Sequence, residues 1–313
     1  MTKLLVSLVC SFIASTAAYD FSWSPGSGAA PASDAWLSYF NSLDGGKVDV
    51  QPDIKECSQS APNVWAATFD DGPMDSTNVV LDYFRTAEMK TTFWVIGLNV
   101  IQSPDILNKA FQEGHQIGIH SWSHPDLTTL SEAQVVSELV YGAKAIYDVT
   151  GKVPKFFRPP YGTISDSVRT IAAKMGLRAV LWTEDSEDWR YAGTSEMSKV
   201  PASFQSWMDQ GKSNEISLEH DFKAETVAVV GQCMDIVRKA GKKLVTISEC
   251  IGDSESSYQN PRLVAFFESG QFAGQSPTPS SSQNYDPAAS WPQTITSYAA
   301  SEMQSETPYM GAR

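Results

Sequence analysis

The sequence predicts one large α/β domain, folded as a parallel (β/α) barrel of about seven strands. Three observations carry that expectation. Short apolar runs alternate with helix-like stretches from residue 64 to residue 247, the pattern of a parallel sheet with crossover helices. Seven such runs suit a barrel better than an open sheet. Five polar clusters fall just past five of the runs, as active-site groups do at the C-terminal rim of a barrel.

In chain order, "MTKLLVSLVCSFIASTAAYD" comes first. A lone Lys3 precedes an apolar stretch from Leu4 to Ile13, and small residues follow at Ser15 to Ala18. That is the form of a secretory signal peptide over residues 1–18, its apolar stretch too short to span a bilayer. Residues 19–56, with "SPGSGAAPASDAW", read as an N-terminal extension. Strands are expected at 64–69, 91–97, 116–120, 156–160, 179–182, 215–220 and 244–247. Helices are expected near 76–88, 103–113, 131–149, 164–175, 196–210 and 224–240. The barrel domain is bounded at 57–252. Residues 253–313 read as a Ser/Thr/Pro-rich tail.

Apolar residues make up 42% of the 313 residues and charged ones 19%, enough for a substantial core. Loss of Lys3 with the signal peptide takes the net charge from −13 to −14. So acidic a chain lacks the Lys/Arg clusters that nucleic acid requires, and it repels anionic polymers. A neutral or cationic substrate fits better. No later segment is apolar enough to cross a membrane.

Three cysteines remain beyond residue 18: Cys57, Cys233 and Cys250. Export permits disulfides. Cys57 and Cys250 flank the predicted barrel and are expected to pair, since joining its ends closes a long loop. Cys233, in the amphipathic "VAVVGQCMDIV", is expected to stay a buried thiol.

The chemistry starts at "TFDDGP", where Asp70 and Asp71 stand side by side at the end of an apolar run. A divalent cation would let both stay ionised, one as ligand and the other as base. Alternation along a strand would point the two to opposite faces and give them different roles. On its own "DDGP" suits an Asx turn better, with Gly72-Pro73 shaping the loop. His120 and His124, in "HSWSH", are four residues apart, the spacing of one helical turn. Two histidines and one carboxylate leave a fourth position open, as in catalytic zinc sites. His115 is expected to serve a structural hydrogen bond.

The clusters "TFDDGP", "HSWSH", "RPPYG", "DSEDW" and "LEH" occur in that order. They resemble the five motifs of the polysaccharide deacetylases, carbohydrate esterase family 4, over roughly residues 64–250. The signal segment and "VTISECIGD" look most like the secreted fungal chitin deacetylases. The resemblance implies a distorted barrel with fewer strands than the regular eightfold form. It implies a divalent metal, Zn²⁺ with Co²⁺ as the alternative, held by Asp71, His120 and His124. It further implies Asp70 as general base, His220 as general acid, and Arg158 orienting Asp70. Tyr161 would offer its backbone N–H to the acetyl oxygen. An Asp of "DSEDW" would orient His220, Asp185 before Asp188. Trp189 would wall the acetyl pocket, and Trp122 is a further candidate for stacking on sugar. One departure is Ile119, where the family often has Asn.

The implied reaction is hydrolysis of N-acetyl groups on chitin or chitooligosaccharides, by a secreted or cell-wall-associated monomer. Acetylxylan and peptidoglycan are alternative substrates. A chitin-binding protein without catalysis and an extracellular structural protein are alternatives of other classes. Intact Asp70, Asp71, His120, His124 and His220 argue against the first, and the Ser/Thr-rich tail is the one feature behind the second.

Overall fold

The computed structural model describes residues 19–58, 62–253 and 257–272. The expected signal peptide and the tail beyond residue 272 lie outside the described residues.

The first half of the chain runs α1 (Asp34–Ser42), β1 (Val64–Asp70), α2 (Thr77–Thr86), β2 (Thr92–Val95), α3 (Gly97–Gln102), α4 (Pro104–Gln112), β3 (Gln116–Ile119) and α5 (Glu132–Thr150). It continues through β4 (Phe156–Phe157), α6 (Asp166–Lys174), β5 (Arg178–Ala179), β6 (Glu184–Asp185), α7 (Asp188–Tyr191), α8 (Lys199–Asp209) and β7 (Glu215–His220). The last elements are α9 (Ala224–Val227), α10 (Val230–Lys239), β8 (Lys243–Leu244), α11 (Ile247–Cys250) and α12 (Pro261–Glu268).

Seven parallel strands lie in the order β5-β4-β3-β2-β1-β7-β6 and curl into an incomplete barrel, with β8 pairing the start of β1. This is the expected distorted barrel. At its open side the segment before β1 stands in for a strand: Ile54 bridges Val180, and Glu56 bridges Glu215.

β1 is buried along its whole length, as a central parallel strand covered on both faces must be. Trp65, Ala67 and Phe69 join the large core between sheet and helices. Val64 and Ala66 face the barrel interior with Trp94, Val180 and Ile216. Two-residue alternation therefore carries Thr68 and Asp70 to that interior face. Gly118 on β3 is required there, since a Cβ would meet the Trp94 ring at 2.2 Å. α5 starts at a capping box of Ser131 and Gln134 and stops at Gly151, which takes the left-handed φ of 67°.

Two expected boundaries need correction. Residues 19–56 are integrated into the fold: Trp36 and Phe40 of α1 lie in the main core. The tail does not begin at 253, because α12 buries Leu263 and Phe266 in the same core. Trp36 stacks on Phe272, and its Nε1–H donates to the Gln271 carbonyl at 3.2 Å. Each segment places its apolar residues on one short helix, too short to stand out as a period in sequence. The expected strand to residue 97 is also cut short, because α3 begins at Gly97, where a Cβ would strike Trp122 at 2.5 Å. The expected helix over 224–240 is two helices, α9 and α10.

Cys57 and Cys250 form a disulfide across 193 residues of sequence, and Cys233 is a buried free thiol. No helix among the described residues is long and apolar enough to cross a membrane.

Candidate active site

All five polar clusters gather at the C-terminal rim. Asp70 is the last residue of β1 and pairs in register with His220, the last of β7. Asp71 follows with φ 79°, so strand alternation has already ended. Its side chain therefore joins Asp70 in one pocket instead of turning to the opposite face: His120 Nε2 lies 3.7 Å from Asp70 Oδ2 and 3.4 Å from Asp71 Oδ1. The Asp71 backbone is pinned on both sides. Its N–H donates to Trp94 O at 3.1 Å, and Asn99 Nδ2 donates to its carbonyl at 2.6 Å.

The histidine pair also forms differently from expectation. Residues 120–124 are a loop, not a helical turn, with Ser121 and His124 at φ 63° and 62°. The loop still brings the rings to 5.0 Å between centroids. His124 Nε2 stands 3.3 Å from Asp71 Oδ1. His120 Nδ1 is 2.7 Å from the Arg158 carbonyl, which can only accept, so Nδ1 carries the proton and Nε2 presents a lone pair.

Asp71, His120 and His124 offer ligand atoms within 4.8 Å of one another, all three buried. Among the described residues neither Asp71 oxygen accepts a hydrogen bond. A carboxylate with two orphaned oxygens, facing imidazole nitrogens, suits a divalent cation. Burial works against the ionised Asp71, but His124, His120 and His220 outweigh it and hold its pKa at about 2. Burial lowers that of His124 to about 4, keeping it neutral as a ligand must be.

Arg158 is wholly buried. Nη1 donates to Asp70 Oδ1 at 2.8 Å and to Thr68 Oγ1 at 2.7 Å. Nε and Nη2 donate to the carbonyls of Val180 and Leu181. Trp94 and Trp182 sandwich the guanidinium, at 4.9 and 5.3 Å to their centroids. The Asp70 carboxylate is thus aimed by a cation with little freedom of its own. Burial raises the Asp70 pKa, against the pull of Arg158, His120 and His220.

Asp188, not the favoured Asp185, holds His220. Its Oδ1 lies 2.6 Å from His220 Nδ1, and its Oδ2 accepts the His220 backbone N–H at 2.8 Å. Asp185 is exposed and accepts from Glu187 N–H. Glu187 takes a left-handed φ of 51° and opens α7, which swings the second Asp of the motif inward; spacing alone could not show that turn. Burial opposes charge on His220, yet Asp188, Asp71 and Asp70 raise its pKa to about 10. His220 Nε2 is 3.9 Å from Asp71 Oδ2.

Tyr161 has φ 61°, and its ring meets His124 edge-on at 4.6 Å. Trp189 is half-buried beside Asp188, whose Oδ1 accepts its backbone N–H. Trp122 is no sugar platform: it is fully buried in the main core, with Nε1–H donating to Gly28 O. His115 is the expected structural histidine, its Nδ1 accepting Thr91 N–H at 3.2 Å. Glu219 lies on the face opposite His220, as alternation requires, and accepts Thr68 N–H.

Sequence reasoning missed Thr68, Asn99 and Asp221. Asp221 fills the space where a Gly72 Cβ would stand, 2.3 Å from its Oδ2, and that oxygen accepts from Thr77 Oγ1. Its place right after His220 was the available signal. Phe222, edge-on to His220 at 5.7 Å, adds an aromatic to the rim.

An incomplete parallel barrel, with a buried Asp-His-His cluster beside an Arg-held carboxylate and an Asp-held imidazole, defines a class. The chain belongs to the polysaccharide deacetylase family, carbohydrate esterase family 4, whose sequence pattern matches residues 58–180. Among its relatives, chitin deacetylase 1 of Cryptococcus neoformans var. grubii is 38% identical over 229 residues, covering 66% of this chain and 48% of the relative. This chain thus spans about half the length of that curated relative. The chitin deacetylase of Colletotrichum lindemuthianum aligns with a TM-score of 0.62 at 28% identity, over 66% of this chain and 94% of that one. A family 4 carbohydrate esterase from Streptomyces lividans, solved with acetate, aligns at 0.53 and 30% identity, over 60% and 92%.

Proposed function

We propose that this protein hydrolyses N-acetyl groups of chitin or chitooligosaccharides, releasing acetate and leaving glucosamine units. The observation that carries the reading is the meeting of Asp70, Asp71, His120, His124 and His220 in one buried pocket at the strand ends. The chitin deacetylases among its relatives and structural neighbours favour chitin over acetylxylan and peptidoglycan. The acidic chain suits a polymer that becomes cationic as it is deacetylated.

Asp71, His120 and His124 would hold the metal, Zn²⁺ by the donor set and Co²⁺ by similarity of geometry. When bound, it would acidify water and polarise the acetyl carbonyl. Asp70, aimed by Arg158, takes the proton of the attacking water. The Tyr161 N–H donates to the developing oxyanion, worth ~3 kcal/mol for one such donor. His220, kept protonated by Asp188, gives its proton to the departing sugar nitrogen, because an amide anion does not leave. The half-buried Trp189 lines the acetyl pocket. Residues 1–18 support secretion, and a monomer suffices because every proposed group comes from one chain.

Acetate release from a chitin tetramer, set against acetylxylan and peptidoglycan, tests the proposal. Release from the tetramer is expected. Preference for either other polymer would move the substrate, and no release from any, with metal bound, would remove the enzymatic reading.

A further inference from the structure

Glu138 lies in the middle of α5, in "VVSELV", where Ser137 is the other polar residue, and is wholly buried. A carboxylate there is costly unless its oxygens are satisfied. They are, and by the loop that carries the two histidines. Oε2 accepts the backbone N–H groups of Trp122 and Ser123, both at 2.9 Å. Oε1 accepts Ser123 Oγ–H and the Ala30 N–H, both at 2.8 Å. Three of these four donors belong to residues between His120 and His124.

That loop needs an external hold. It has no helical hydrogen bonds of its own, and Ser121 and His124 both sit in left-handed conformations that cost L-residues roughly 1–2 kcal/mol each. Inside it, the Ser121 hydroxyl accepting the His124 N–H at 2.9 Å bridges the bend. The carboxylate takes the N–H side of two peptide planes whose carbonyls, Ser121 O and Trp122 O, accept the Gly97 and Leu98 N–H groups of α3 at 3.0 Å, so the planes of Trp122 and Ser123 are gripped from both sides. Those planes set where His124 stands relative to His120.

We propose that Glu138 is a positioning residue for metal binding: it holds the His120–His124 loop so that both Nε2 atoms converge on Asp71. The inference rests on the metal reading of that cluster. Through the Ala30 N–H, the same carboxylate also fastens the N-terminal segment to the loop.

The test is Zn²⁺ affinity, by competition with a chromogenic chelator, with the Co²⁺ visible spectrum as a second readout. Glu138→Ala is expected to weaken Zn²⁺ binding by about 10- to 100-fold and to alter the Co²⁺ bands. Glu138→Gln can still turn its oxygen to the Trp122 and Ser123 N–H groups and its amide to Ser123 Oγ, but that amide faces the Ala30 N–H donor against donor, so it should recover only part of the affinity lost in the Ala variant. Val237→Ala, in the buried face of α10, should lower Tm without changing either readout. If Glu138→Ala does not fold, Glu138→Asp, too short to reach all four donors, takes its place with about a tenfold loss expected. Unchanged affinity and spectrum in a folded Ala or Asp variant overturn the proposal, and so does a Gln variant as weak as Ala. Failure of the unsubstituted protein to bind Zn²⁺, or unchanged affinity in His120→Ala, would instead overturn the metal reading itself.

Discussion

One Asp188 carboxylate grips His220 at two points, the ring Nδ1 at 2.6 Å and the backbone N–H at 2.8 Å. The first contact sets the charge of the imidazole, and the second sets where the residue sits. Asp188→Asn keeps the shape and removes the charge. It should lower kcat on chitin oligomers by about 10²–10⁴-fold, the usual worth of a general acid. Asp185→Asn, at an exposed position, should leave turnover close to that of the unsubstituted chain. Equal losses in the two would return the orienting role to Asp185.

Chelation should abolish acetate release, and Zn²⁺ or Co²⁺ should restore it, because Asp71, His120 and His124 would hold the ion and leave a fourth position open. Elemental analysis during dialysis is the check. Full turnover in protein shown to be metal-free would remove the metal from the reaction.

Activity should follow a bell in pH. As the proposed base Asp70 must be ionised, so its protonation should set the acid limb; burial by itself raises its pKa. As the proposed acid His220 must be protonated, and Asp188 at 2.6 Å raises its pKa, so the alkaline limb should lie above that of a free histidine. Profiles of kcat/KM locate both limbs. Asp70→Asn should lose several decades in kcat while still binding metal.

Glu219 makes stability depend on pH. Burial lifts its pKa from 4.5 to about 8. Between those values the folded chain keeps a proton that the unfolded chain releases, so this residue's contribution falls as pH rises from 4.5 to 8. Glu219→Gln keeps an acceptor for Thr68 N–H and removes the titration. Its Tm should exceed that of the parent at pH 8 and match it at pH 4.5. A parallel pair of Tm curves would show that Glu219 is not protonated in the fold.

Truncation should separate two parts of the C-terminal region. Ending the chain after Phe272 keeps α12 and should preserve turnover on soluble oligomers. Ending it after Gly252 removes Leu263 and Phe266 from the core, each burial of this kind being worth about 2–5 kcal/mol. That shorter chain should be strongly destabilised, as thermal unfolding would report.

Wherever function rests on residue type and order, the sequence was legible. The strand ends, the Asp-His-His cluster and the Arg-held Asp70 were readable from alternation or from motifs whose order matches the strands, and the Cys57–Cys250 pair from its place at the two ends of the barrel. What stayed hidden depends on single backbone angles. A left-handed Glu187 chooses Asp188 over Asp185, and a left-handed Asp71 turns its carboxylate toward Asp70 rather than away. Trp122 reads like a sugar platform because it lies inside a motif, and only packing shows it beneath the loop. Glu138 looks like a surface charge on a helix until the loop above it is in place.

The disulfide that joins the ends of the barrel sets an order on biosynthesis. A chain made from its N-terminus presents Cys57 early, and its partner is 193 residues away. Cys233 emerges before Cys250, so the first thiol available to Cys57 on the later chain is the wrong one. Correct oxidation then depends on α10 docking promptly, since it is burial in the finished helix that takes Cys233 out of reach. Substitutions that loosen the buried face of α10 should therefore show up as mispaired protein before they show up as lost activity.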